Sequence, residues 1–159
     1  MTKMFEFPVG YHKFHEEKNF NFQMNRWYSS GYLQYEDLKE AGKKIHDYED
    51  CARVMENLAD KKLAEYKKLE AAFYYRFADF FLKDEKKKEN LYDKFRELFY
   101  EHLEEHNCKD EVKRHYIPYK DGELYAIRVT PDIETKGVIV IHGGGDSYIE
   151  EFYSSFRYF

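Results

Sequence analysis

The chain has 159 residues, with 16 Tyr, 14 Phe and only 3 Pro, and carries a net charge of −5. So many rings supply more apolar area than a disordered chain holds, and the acidic balance argues against a partner built on a phosphate backbone. The length suits one domain with a real core, no run approaches the ~20 apolar residues of a membrane span, and Cys51 and Cys108 lack a pairing motif, as reduced thiols of a soluble cytoplasmic protein would.

The opening residues, Met1 to Pro8, lack the apolar core of a signal peptide. From about residue 15 to residue 107 the period is helical and Pro is absent. Glu16 to Tyr28 reads as a first helix, closed by Ser29-Ser30-Gly31 with Gly31 as its C-terminal cap. Tyr35 to Ile45 is a short second helix. Asp47 or Asp50 caps a third, carried by Cys51, Val54, Met55, Leu58 and Ala59. The pattern runs on through Leu63, Tyr66, Leu69, Phe73, Phe77 and Phe80, as one helix or as two broken near Lys67-Lys68. Asp84-Glu85 starts another helix, with Leu91, Phe95, Leu98 and Phe99 on one side, ending near His106-Asn107.

After Asn107 the pattern changes. Val112 to Tyr119 is strand-like, Lys120-Asp121-Gly122 signals a tight turn, and Leu124 to Val129 places Tyr125, Ile127 and Val129 on one face. Thr130-Pro131-Asp132 breaks that strand. Val138 to Ile141 is an unbroken β-branched run, which fits a strand buried on both faces. Ser147 to Phe159 returns to helical spacing, with Ser147 or Asp146 as cap and Glu150-Glu151 in the first turn. The expected fold class is α+β, with a helical domain over 1–107 and an antiparallel hairpin, one buried strand and an opening helix over 108–159.

The strongest chemical signal is His142-Gly143-Gly144-Gly145-Asp146-Ser147, between that strand and that helix. Glycines there can take angles other residues resist and aim backbone N–H groups into a cleft, as an oxyanion hole requires. An ordinary glycine-rich turn, or one that binds phosphate, remains the alternative, although the third glycine is misplaced for a Gly-x-Gly-x-x-Gly motif. His102 and His106 stand one helical turn apart, as zinc ligands can. Leu103 occupies the position where a metalloprotease carries Glu, and only Cys108 and Asp110 could add a ligand, so the pair reads as a solvated helix end. His12 and His15 read as surface residues, and Lys83 to Lys88 as a solvated helix start. Neighbouring helical positions lie ~100° apart, so Tyr74, Tyr75 and Arg76 cannot all face one core. Some of them, with Asn25, Arg26, Trp27 and Tyr28, are expected to face another domain, a ligand or water.

Four stretches carry a family resemblance: Asn21 to Tyr28, Ala71 to Arg76, Tyr92 to Phe95, and His142 to Phe152. They resemble a bacterial group of α/β-hydrolases in which a helical N-terminal segment caps the catalytic fold, the 2,6-dihydroxypseudooxynicotine hydrolase-like and dipeptidyl-peptidase-like enzymes. The resemblance spans essentially the whole chain. It implies serine-hydrolase chemistry with a Ser-Asp-His triad and no cofactor. It also implies backbone N–H donors at Gly144 and Gly145, and a substrate cleft contacted by Trp27, Tyr74, Tyr75 and Asp146. Where the family usually carries a bulky residue this chain has Gly145, which should loosen the turn.

No Gly-x-Ser-x-Gly occurs in the chain, so the nucleophile, acid and base are expected beyond Phe159, and this chain alone is expected to be inactive. Its small-molecule substrate would then bind only in the completed protein, with no nucleic-acid, membrane or metal partner. In the family's sheet order the third strand lies between strands that would follow this chain. Val138 to Ile141 would stand bare, its unpaired N–H and C=O groups each costing on the order of 1–3 kcal/mol if buried. Such a strand is expected to pair with the chain's own hairpin or a second copy, or to stay without fixed pairing, which favours homo-oligomers. A non-catalytic helical module, docking a partner chain through its aromatic surface, is the alternative.

Overall fold

In the computed structural model of the protein, residues 8–105, 111–131 and 133–156 are described. The fold is α+β and mostly helical, with six α-helices, one 3-10 turn and a two-stranded antiparallel sheet among those residues. It divides into two units, Glu6–Glu105 and His106–Phe159. The expected boundary at residue 107 lies outside the described residues.

The first unit holds α1 (Lys18–Ser29), α2 (Tyr35–Gly42), α3 (Tyr48–Ala64), α4 (Lys68–Phe80) and α5 (Glu85–Glu105). The Glu17 carboxylate caps α1, accepting from the N–H groups of Asn19 at 2.9 Å and Phe20 at 3.1 Å. These bonds, Phe20's first, hold that carboxyl below its usual range. Gly31 closes the helix at φ +82°, as expected. Asp47 rather than Asp50 caps α3, accepting from Asp50 N–H at 2.7 Å.

The long aromatic pattern is two helices. Lys67 N–H donates to Lys62 O at 2.9 Å and Tyr66 N–H to Leu63 O at 3.0 Å, the paired bonds of a Schellman ending. Tyr66 takes the left-handed position at φ +60°, where glycine is the usual occupant. Its ring is 94% exposed, so the chain gains no burial in return.

Helix α4 is the axis of the unit, packed against α3 on one side and α5 on the other. Every residue from Ala71 to Asp79 is buried. Phe73 stacks on Tyr32 at 3.5 Å between centroids and meets Phe95 edge-on at 5.3 Å, while Trp27 reaches Phe77 at 6.0 Å. A helix apolar around its whole circumference is a core helix, and this one has neighbours on every side. The expectation that Tyr74, Tyr75 or Arg76 must face water, a ligand or another domain is therefore corrected. It assumed one covered face.

The N-terminal segment is tied to α1 by Asn21 and Asn25, one turn apart. Asn21 Oδ1 accepts from Phe14 N–H at 2.8 Å and His15 N–H at 3.0 Å. Asn25 exchanges bonds with the backbone of His12, at 2.7 and 2.8 Å. His12 is half-buried among Phe14, Tyr28 and Tyr35, and His15 Nε2 lies 2.9 Å from Ile45 O, so neither histidine is a surface bystander. Gly42 lets this segment pass, since a Cβ there would sit 1.9 Å from Phe14 O.

The second unit opens with β1 (Glu111–Tyr119) and β2 (Gly122–Thr130), paired from Glu111↔Thr130 to Tyr119↔Gly122. Lys120 and Asp121 make the two-residue turn, with Lys120 at φ +51°. Tyr125, Ile127 and Val129 share the half-buried face. Residues 149–152 form the 3-10 turn and Tyr153–Phe156 form α6. The cap is Tyr148, whose N–H donates to Glu151 Oε1 at 3.1 Å, rather than Ser147 or Asp146.

The expected buried strand is the main correction. Val138 to Ile141 belongs to no sheet, and Val138, Ile139 and Val140 are 89%, 72% and 85% exposed. The β-branched run satisfies the local requirement of a buried strand. Burial also needs a neighbouring ladder, and among the described residues the one ladder is β1 with β2. No helix of the described residues is long and apolar enough to cross a membrane.

Candidate functional site

The glycine turn follows directly from the exposed β-branched run. Ser147 N–H donates to Gly144 O at 3.4 Å, closing a four-residue turn with Gly145 and Asp146 at its tip. Among the described residues, no group accepts from the N–H of Gly144 or Gly145, and both glycines are exposed. Two adjacent main-chain donors therefore stand open beside a helical start.

Each glycine has a different reason. At Gly143 a Cβ would lie 2.9 Å from Ser147 Cβ and 3.0 Å from the Phe152 ring, so the turn needs its bare backbone for close packing. At Gly144 it would lie 3.2 Å from Asp146 Oδ1, and at Gly145 it would meet nothing within 4 Å. Positive φ among the described glycines belongs to Gly10 and Gly31 alone, which corrects the expectation of unusual backbone angles in this turn. Close packing demands glycine at 143, a Cβ at 144 would crowd Asp146, and position 145 is open. A Cβ at 145 would therefore displace nothing.

Asp146 sets the electrostatics. Its Oδ1 sits next to Gly144 and accepts from Ser147 Oγ at 3.4 Å. Two like charges ~4 Å apart repel by about 1 kcal/mol in water, and several-fold more in a covered cleft. An anion held by these amides would meet that carboxylate, whereas a substrate hydroxyl or ammonium would pair with it. His142 Nδ1 lies 3.2 Å from Gly143 O, a contact local to the turn.

Trp27, Tyr74 and Tyr75, expected at a substrate cleft, are core residues of the helical unit, at 1%, 0% and 3% exposure. The Tyr74 hydroxyl donates to Asp37 Oδ2 at 3.0 Å and accepts from Gln34 N–H at 3.2 Å. Tyr75 donates to Asp60. Burial pushes both phenols above their ordinary range, so neither is an acid or base near neutral pH. The resemblance brings these rings and the glycine turn into one site. The structure puts them in different units.

Near Tyr74 lies a buried charge cluster that periodicity does not reveal. Lys62 Nζ is 2.6 Å from Asp37 Oδ2 and 3.5 Å from Glu70 Oε2, linking α2, α3 and α4. Burial alone lowers the Lys62 pKa, but the bond and charge of Asp37, with Glu70 and Glu65, outweigh it and hold the ammonium above its ordinary range. The i, i+3 pair Arg76 and Asp79 is likewise buried. Both fit structural ion pairs within the helical unit.

No three His, Cys, Asp or Glu side chains among the described residues are placed to hold a metal ion. His106, Cys108 and Asp110, named with His102 as candidate ligands, lie outside the described residues. Cys51 is a free, buried thiol, and burial pushes its pKa up to about 12, which makes it unreactive. No protein-family model matches the chain, and no curated protein or solved structure is significantly similar to it.

Proposed function

We propose that this chain is the N-terminal part of a cytoplasmic serine α/β-hydrolase, supplying the helical cap and the oxyanion turn of an ester-, amide- or C–C-bond-cleaving enzyme. One observation carries the reading: the N–H groups of Gly144 and Gly145 donate to no partner among the described residues and lie shortly after a β-branched run that has no sheet partner there. In this reading further strands cover Val138 to Ile141 and bring the nucleophile to the turn, whose amides then stabilise the developing oxyanion. Asp146 orients the substrate through a hydroxyl or amine.

The alternative, a non-catalytic helical module docking a partner chain through its aromatic surface, would use exposed rings such as Phe22 and Tyr66, since Trp27, Tyr74 and Tyr75 are buried. The hydrolase reading is tested first on the coding DNA, where the frame is expected to continue past Phe159 into Gly-x-Ser-x-Gly. The protein encoded by that frame should hydrolyse p-nitrophenyl esters, and Gly144→Pro, which removes one donor, should lower its kcat by on the order of 10²–10³. The present chain should show no turnover above a heat-inactivated control. A stop codon after Phe159, or turnover by this chain alone, overturns the proposal.

A further inference from the structure

Val138 to Ile141 holds four β-branched side chains between Gly137 and His142, with no charge or proline among them. From residue 133 to residue 143 the backbone N–H groups make no hydrogen bond to the described residues. An apolar stretch without a hydrogen-bonded neighbour among the described residues is a template for another strand.

From these features we infer that the stretch is a self-association site whose occupant is the same stretch of a second copy, paired antiparallel about a two-fold axis between Ile139 and Val140. The segment is complementary to itself in that direction. Each Val faces an Ile, Val138 opposite Ile141 and Ile139 opposite Val140, so both faces of the new ribbon carry closely matched β-branched pairs. Charge selects the same direction. In the antiparallel register Lys136 lies opposite Gly143 and Glu134 opposite Gly145, whereas in-register parallel pairing sets Lys136 against Lys136 and Glu134 against Glu134.

Area sets the strength. Stable specific interfaces bury ~1,200–2,000 Å² in total, and four residues per strand fall well below that. The dimer is therefore weak and reversible. This inference goes beyond the hydrolase reading and concerns residues 1–159 alone, since under that reading further strands would cover the same stretch.

The test is sedimentation equilibrium of this chain from ~10 μM to ~1 mM, the range where weak association is read, with hydrogen exchange at both ends of that range. The expected result is an average mass rising from 19.5 kDa towards twice that value, with protection appearing at residues 138–141 as concentration increases. Ile139→Lys changes a side chain that is 72% exposed, so it should keep the helical circular dichroism and remain monomeric throughout. Val140→Lys should do the same. A natural chain that stays monomeric overturns the inference. So does undiminished association of either variant, growth past the dimer, or protection at 138–141 independent of concentration, which would mean pairing within one chain.

Discussion

The two units solve the same problem of covering apolar side chains with opposite success. In the helical unit, α4 is covered all round, and even its polar residues, Tyr74, Tyr75, Arg76 and Asp79, have partners from within the unit. In the second unit the most hydrophobic stretch of backbone, Val138 to Val140, has neither a ladder nor a cover. The same chemistry, an uninterrupted apolar run, thus ends in a core in one place and at the surface in the other. What separates them is the number of neighbours available, a property that lies outside the run itself.

Substitutions of equal size should therefore have unequal effects. Phe73→Ala removes a ring packed against Tyr32 and Phe95 and should cost about 3–5 kcal/mol in denaturant unfolding of the helical unit. Ile139→Ala in dilute solution should change stability by no more than ~0.5 kcal/mol. Equal effects would break the contrast. Lys62→Met comes next. It leaves Asp37 and Glu70 without their shared cation where α2, α3 and α4 meet, and should cost about 3 kcal/mol by the same measurement. Gly42→Ala forces a Cβ against Phe14 O and should cost ~1–3 kcal/mol, as a lower urea midpoint with unchanged slope. The smallest change should be a gain. Tyr66→Gly relieves a left-handed residue whose ring is 94% exposed, and should raise stability by up to ~1 kcal/mol. A loss there would mean that the Tyr66 ring contributes a contact.

The helices were legible because their signals are local. Cys51, Val54, Met55 and Ala59 recur on one face and are buried, and Gly31 marks the end of α1. The hairpin was legible from Lys120-Asp121-Gly122 between two β-rich runs. The division of α3 from α4 stayed ambiguous because Tyr66 fills a position that glycine normally advertises. The burial of Trp27, Tyr74 and Tyr75 was missed because a helix with three layers of neighbours breaks the one-face rule, and periodicity contains no count of neighbours. Asn21 and Asn25 were missed as anchors because their partners, the backbone of residues 12–15, lie outside the helix that carries them. At the turn, the glycine-rich pattern marks the start of the helical segment at Ile149, while the run before it is no strand. The close approach of Ser147 and Phe152 to Gly143 is something spacing alone does not encode.

The contrast between a closed helical core and an uncovered β-branched run is measured most directly by hydrogen exchange in dilute solution, where self-association is absent. We expect amides of α3, α4 and α5 to be protected up to the global unfolding free energy, and those of residues 133–145 to exchange at the rate of an unstructured chain. Strong protection at 138–141 in the dilute monomer, or rapid exchange along α4, would contradict it.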